Sequence, residues 1–342
     1  MSRLERLAQA LRAGRGFRHK RDIASVMPQL AATDDATAVP NGDDCAVLPA
    51  PGGDGYLLLA IEGLMQDFVK AMPWFAGYSG VMVNLSDIAA MGGRPTAVVD
   101  ALWAADDDTA GQLLAGMRAA CERCGVPLVG GHTNLQARQG QLAVAVLGHA
   151  KRLVSSFAAR PGDRLLMAVD LRGRWQDEHP FWNASTDAPA SRLRADLALL
   201  PELAEAGLCD AGKDISMAGV LGTLLMLLEC SGVGARVDLE RLPLPPGTPP
   251  WQDASDAASA AQLRWLSAFP SFGFVLAVRE SDAAQVARHF AARDIACADI
   301  GVATPGTRLE LRLGAEQATL WDLADSPFIG AAPQPAPSRI AA

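Results

Sequence analysis

Five carboxylates carry the chemistry that this chain could do. Asp43, Asp44, Glu62, Asp87 and Asp214 each stand at the end of an apolar run or beside small residues. Gathered in one cleft, they would repel one another unless divalent cations were bound. Mg²⁺ accepts one or two carboxylates together with phosphate oxygens, the usual way a protein holds a nucleoside triphosphate. Such a ligand also needs amides and cations, and two stretches offer them. Gly14-Arg15-Gly16-Phe17-Arg18-His19-Lys20 reads either as a loop that wraps an anion, with Lys20 aimed at it, or as a linker. Val129-Gly130-Gly131-His132-Thr133-Asn134 places a glycine pair where a ligand could approach the backbone closely, and His132 reads either as a proton donor or phosphate contact or as a loop hydrogen bonder. There is no GxxxxGK[ST] and no kinase-type glycine loop followed by HRD and DFG, so neither common nucleotide fold is indicated.

The element that must position Asp87 is the clearest in the chain. Tyr78, Met82, Leu85 and Ala89 follow the spacing of a buried helical face over about 74–91. Gly92-Gly93 ends that helix and Pro95 prevents its resumption. A carboxylate inside such a packed helix is costly unless paired, hydrogen-bonded or bound to a cation. Glu62 closes the almost continuously apolar strand Tyr56–Gly63, and Asp43-Asp44 lies in a turn feeding another short strand. Asp214 and Ser216 precede an apolar helix over 217–230, where either could be an N-cap.

The order strand, strand, helix, strand (96–102), helix (108–124), strand (141–148) describes a mixed α+β layer. A second unit starts with a strand at 164–169. A helix over 191–206, a strand over 272–278, a helix over 282–291 and strands over 296–303 and 307–313 continue it. Residues 172–189 read as a long irregular lid or surface loop. The expected division is residues 1–155, 156–326 and a loose Ala- and Pro-rich tail, 327–342.

Composition sets the outer bounds. At 342 residues, half of them hydrophobic, the chain can bury one large core or two ordinary ones. A net charge of −8 argues against a nucleic-acid or anionic-membrane binder, while leaving room for a local phosphate site. Residues 1–20 have no apolar leader and the longest apolar run, 219–228, is too short to span a bilayer, so the expected setting is cytoplasmic. Six scattered cysteines show no disulfide rhythm, and Cys121-x-x-Cys124 falls in a helical pattern without a second pair, which favours a reduced structural pair over zinc.

The motifs also carry a resemblance. Gly42-Asp43-Asp44-Cys45-Ala46-Val47-Leu48, the strand ending in Glu62, Asn84-Leu85-Ser86-Asp87-Ile88-Ala89-Ala90-Met91-Gly92, Gly130-Gly131-His132-Thr133 and Asp214-Ile215-Ser216 resemble, in order and over roughly residues 20–315, the superfamily of aminoimidazole ribonucleotide synthetase. That superfamily also holds thiamine-monophosphate kinase, selenophosphate synthetase and the hydrogenase-maturation dehydratase. The resemblance implies a two-domain α+β protein: an N-terminal mixed sheet that pairs into a barrel across a homodimer, and a C-terminal α+β sandwich holding the substrate. It implies ATP and Mg²⁺ as cofactors and a small-molecule phosphoryl acceptor. Asp43, Asp44, Glu62, Asp87 and Asp214 would be metal ligands, with Glu62 where the relatives carry Asp. Asp44, Asn84, Gly130, Gly131 and Thr133 would contact nucleotide, and Asp214, His132 and Lys20 would act in catalysis.

The motifs are mixed as to member. Gly131-His132-Thr133 resembles the selenophosphate synthetase form, whereas the kinases carry Asp at the position of His132. Met217-Ala218-Gly219 follows Asp214-Ile215-Ser216 where the kinases have Asp-Gly. Residues 14–20 lack the synthetase cysteine, and Ser338–Ala342 lacks the dehydratase's terminal cysteine. The expectation is a Mg²⁺-dependent ATP-using phosphotransferase with an acceptor of its own; the alternatives are a thiamine-monophosphate kinase, a selenophosphate synthetase-like enzyme and a nucleotide-binding subunit without turnover.

Overall fold

The computed structural model describes residues 1–30 and 37–331. Two helices, α1 (Arg3–Ala13) and α2 (Arg15–Val26), precede the first sheet unit. That unit runs β1 (Ala46–Pro49), β2 (Tyr56–Leu64), α3 (Gln66–Ala71), α4 (Pro73–Ala90), β3 (Arg94–Trp103), α5 (Asp107–Cys124), β4 (Leu128–Asn134) and β5 (Gln141–Ala150). Its five strands lie in the order β1-β2-β5-β3-β4 as an open sheet, not a barrel within one chain. Leu58, Ala60, Val98, Leu102, Val144 and Val146 point to the inner face, where α4 and α5 pack, and are all buried. The opposite face leaves Leu59, Ile61, Val99 and Leu147 exposed, Ile61 at 69%.

Helix α4 is apolar on nearly every side because it has neighbours on nearly every side, and from Ala76 to Ala90 all residues but two, Ser79 and Val83, are buried. Gly77 and Gly116 let α4 and α5 approach: a methyl group at either would meet a backbone oxygen at 2.1 or 1.9 Å. The helix stops as expected, with Gly92 at φ +75° and β3 beginning at Arg94-Pro95.

The second unit runs β6 (Arg164–Val169), β7 (Arg174–Trp175), β8 (Phe181–Asn183), α6 (Ala190–Leu197), α7 (Leu199–Glu205), β9 (Ala211–Asp214), α8 (Gly219–Ser231) and β10 (Gly234–Asp238). It continues with α9 (Asp256–Leu266), β11 (Phe269–Pro270), β12 (Gly273–Val278), α10 (Glu280–Ala291), β13 (Ala296–Thr304), β14 (Arg308–Leu313) and β15 (Glu316–Asp322). Seven strands form a mixed sheet, β15-β14-β10-β13-β6-β12-β9. Both of its faces are covered, which is why β12 reads Phe-Val-Leu-Ala-Val without polar alternation: Phe274 and Leu276 join the core shared with α4, Val275 and Ala277 the core shared with α8.

Four expectations need correction. Residues 15–20 form the start of α2 rather than a loop, because Phe17 is buried against Trp321 and Phe328, two rings far along the chain. α1 and α2 pack with the second unit rather than the first, with Leu4, Leu7, Leu11 and Phe17 in the core of α8 and β14. Residues 172–189 are not an irregular lid: they contain β7 and β8, which join β11 in a three-stranded sheet around buried Trp182. The segment after Pro327 starts packed, since Phe328, Ile329 and Ala331 are buried and the Glu229 carboxylate accepts the amides of Phe328, Ile329 and Gly330 at 2.7–3.2 Å. The rest of the expected tail, 332–342, lies outside the described residues. The six cysteines are free, and Cys121 and Cys124 are buried. No helix among the described residues is long and apolar enough to cross a membrane.

Candidate functional site

Three of the five carboxylates meet. Asp44 follows the Gly42 turn, Asp87 sits on α4 and Asp214 ends β9; an oxygen from each lies within 4.8 Å of the others. Asp87 and Asp214 are 7% and 4% exposed. Neither Asp214 nor Ser216 caps α8, whose first turn has no side-chain cap. Burial pushes all three acids up. For Asp87 the charges of Asp214, Asp44 and Glu62 add to the effect, and its pKa stands well above the ordinary carboxylate range. Asp214 is raised by burial against the pull of Lys213 and Lys20.

One cation is built into this cluster. Lys213, the residue before Asp214, is buried and its ammonium donates to the Asp44 carboxylate. Burial alone would lower the lysine, but Asp44 and Asp43 outweigh it and hold it charged. The remaining Asp44 oxygen accepts the Asp214 amide at 3.3 Å. Lys20, on α2, is near enough for its positive charge to act on Asp214 and Glu62.

Glu62 lies on the inner face of β2, open to solvent within the concavity, and is raised by the protein around it and by Asp44 against the pull of Lys20 and Lys213. Asn84 lies one turn before Asp87 on α4. Its amide donates to the Gly80 carbonyl at 2.7 Å, while its buried Oδ1 has no partner; nor has the buried Ser216 Oγ. Buried polar atoms are ordinarily satisfied. Three desolvated carboxylates that meet, with unpartnered oxygens on Asn84 one helical turn from Asp87 and on Ser216 two residues from Asp214, are oxygen donors of the kind Mg²⁺ takes, and the residues present fit that ion.

The remaining expected residues are placed elsewhere. Asp43 turns away from the cluster: its carboxylate accepts from Ser155 Oγ at 2.6 Å and from the Ser156 amide and hydroxyl at 2.9 and 2.7 Å. It therefore clamps the connection between the two units. Gly130, Gly131, His132 and Thr133 lie on exposed edge strand β4. Glu62 pairs across to Val144, Val144 to Asp100 and Asp100 to Gly131, three strand spacings or roughly 14 Å from acid to glycine. Gly131 has a local reason to be glycine, since a methyl group there would lie 2.1 Å from Asp100 Oδ1.

Two residues escape sequence reasoning. Lys213 had a signal, a lone charge between the small residues of a short strand and an acid. Asp100 had a weaker one, an acid at an inward position of β3 between Val98 and Leu102; its Oδ2 is buried without a partner. A cavity of about 460 Å³ opens beside the acids, sharing Glu62, Ser86 and Met217 with their surroundings.

Comparisons with known proteins agree with this architecture. Residues 42–150 match the model of the AIR synthase related protein N-terminal domain, and residues 163–314 that of the C-terminal domain. A Synechocystis sp. protein named uncharacterized protein sll0787 is 45% identical over 318 residues, 92% of this chain and 94% of that one. Thiamine-monophosphate kinase of Halobacterium salinarum is 31% identical over 209 residues, 59% of this chain and 69% of the kinase. Among solved structures, T. maritima PurL complexed with ATP superposes with a TM-score of 0.71 at 18% identity, over 98% of this chain and 53% of PurL, a likeness of fold.

Proposed function

This chain belongs to the AIR synthase related proteins, and from that premise we propose that it is a Mg²⁺-dependent enzyme that passes a phosphoryl group from ATP to a small metabolite. The observation that carries the reading is the desolvated Asp44–Asp87–Asp214 cluster with the orphaned oxygens of Asn84 and Ser216 beside it. Asp44, Asp87 and Asp214 would hold the cation, with Glu62 at its margin. Bound there, Mg²⁺ supplies charge neutralisation for the phosphates, the main requirement of phosphoryl transfer. Lys213 fixes the orientation of Asp44, and Lys20 offers a cation at the same cleft. A homodimer is supported by the exposed apolar row Leu59, Ile61, Val99 and Leu147, which a second sheet would cover. Nucleotide contacts at Gly130, Gly131 and Thr133 belong to that assembled form, since these residues stand at the open edge of a single chain.

The thiamine-monophosphate kinase alternative draws on the 31% identical relative and is weakened by His132 and by Met217-Ala218. Calorimetric titration with Mg–ATP, with and without EDTA, followed by product analysis with thiamine monophosphate, tests the reading. Mg²⁺-dependent ATP binding with slow ADP release is expected, and thiamine diphosphate would identify the kinase. Binding without any turnover across a metabolite screen would favour a regulatory subunit; no Mg²⁺-dependent binding would overturn the proposal.

A further inference from the structure

The 460 Å³ cavity beside the acids has two unlike ends. At one end Glu62 and Ser86 adjoin the carboxylate cluster. At the other, four rings crowd around a fifth, Phe181: Phe68 at 5.0 Å between centroids, His179 stacked at 5.4 Å with its plane nearly parallel (12°), and Phe75 and Phe269 both at 6.3 Å. None of the five is fully buried, and each lines the cavity. Its volume falls within the ~300–1,000 Å³ of small-molecule sites.

We infer that this cavity binds the acceptor by a flat aromatic or heteroaromatic ring, held against Phe181 and His179, with the phosphoryl-accepting oxygen carried on a short arm toward Glu62. The inference rests on the phosphotransfer reading above and names its substrate class. Aromatic surface left open to water is unfavourable, and a planar occupant both covers that area and gains offset or edge contacts with the rings. A sugar phosphate or a small amino acid would do neither. The carboxylates of the lining, Glu62 and Asp67, outnumber its one guanidinium, Arg15, so an anionic ring system is disfavoured. The wall is also stiff where it matters: Phe181 precedes buried Trp182 on β8, whose indole donates to the Asp170 carbonyl at 2.9 Å, and β8 is paired on both sides.

The test uses the full chain and two neutral probes of similar size, tryptophol and 2-cyclohexylethanol, titrated calorimetrically, with Mg–ATP measured in parallel. Tryptophol is expected to bind at least tenfold more tightly than 2-cyclohexylethanol. Phe181→Leu, and separately His179→Leu, should weaken tryptophol five- to tenfold while unfolding with the cooperativity of the parent. Equal affinity for the two probes, or insensitivity to both variants, overturns the inference. So does a matching loss of Mg–ATP affinity in Phe181→Leu, which would make the cavity the seat of the adenine ring. Asp87→Asn separates the two proposals: it should abolish Mg–ATP binding and leave tryptophol binding in place. Failure of the wild-type chain to bind Mg–ATP refutes the phosphotransfer reading whatever tryptophol does.

Discussion

Replacing Asp87 by Asn should make the metal-free protein more stable while removing its response to Mg²⁺. Asn keeps the shape of the side chain and deletes one of three charges within 4.8 Å. At an effective dielectric constant near 20, each ionised pair at that separation is repelled by about 3.5 kcal/mol. Two such repulsions act on Asp87, and the attraction of Lys213 offsets part of them. The acid can also escape by taking a proton, which from its ordinary pKa of 3.8 costs about 5 kcal/mol at pH 7.5 and sets a ceiling. A gain of about 2–4 kcal/mol at pH 7.5 in EDTA follows. The sign with pH is fixed by linkage. Because the folded-state pKa is raised, the folded protein holds the proton more tightly, so wild-type stability falls as pH rises from about 4 through the raised value. The variant lacks that fall, and its advantage should vanish near pH 4. Mg²⁺ at a hundredfold its dissociation constant should restore about 2.7 kcal/mol to the wild type and nothing to the variant. Urea unfolding across pH 4–8, with EDTA or MgCl₂, measures all of this. A variant no more stable than wild type in EDTA at pH 7.5, or one still stabilised by Mg²⁺, would refute the reasoning.

Lys213→Met strands the buried Asp44 charge and should cost about 3–5 kcal/mol by urea unfolding, most of it recovered when Asp44→Asn is added. Gly131→Ala forces a methyl group onto Asp100 and should cost about 1–3 kcal/mol, whereas Gly130→Ala, with open space around it, should be near neutral in the same assay. Ile61→Asp places a charge in the exposed apolar row of the first sheet; sedimentation velocity should show a dimer becoming a monomer, and an unchanged sedimentation coefficient would remove that face from the interface.

How much could be read in advance depended on how far each residue's partners lie along the chain. The α4 helix, with Asp87 inside it and its stop at Gly92, is legible because propensity, periodicity and termination are all local. The β2 strand ending in Glu62 is legible for the same reason. Phe17 is not: its helix is secured by Trp321 and Phe328, which no local pattern announces. Residues 174–183 form strands of two and three residues, too short for an alternation to show, and depend on Phe269-Pro270 for a partner. Within the acid set, residue type and element end mark Asp44, Asp87 and Asp214, but type alone cannot separate Asp43, whose two serine partners lie more than a hundred residues away.

The clamp of Glu229 on the segment Phe328–Gly330 bears on the order in which the molecule can be built. Those residues, with Trp321 on β15, close over Phe17 and complete the core in which α1 and α2 are seated. During synthesis α1 and α2 leave the ribosome long before β15 and Phe328, so their apolar faces must wait, uncovered, while the five-stranded sheet is already available to form. Lys20 sits on the helix that this late segment seats, so the charge it lends to Asp214 and Glu62 is tied to residues some three hundred positions further along the chain.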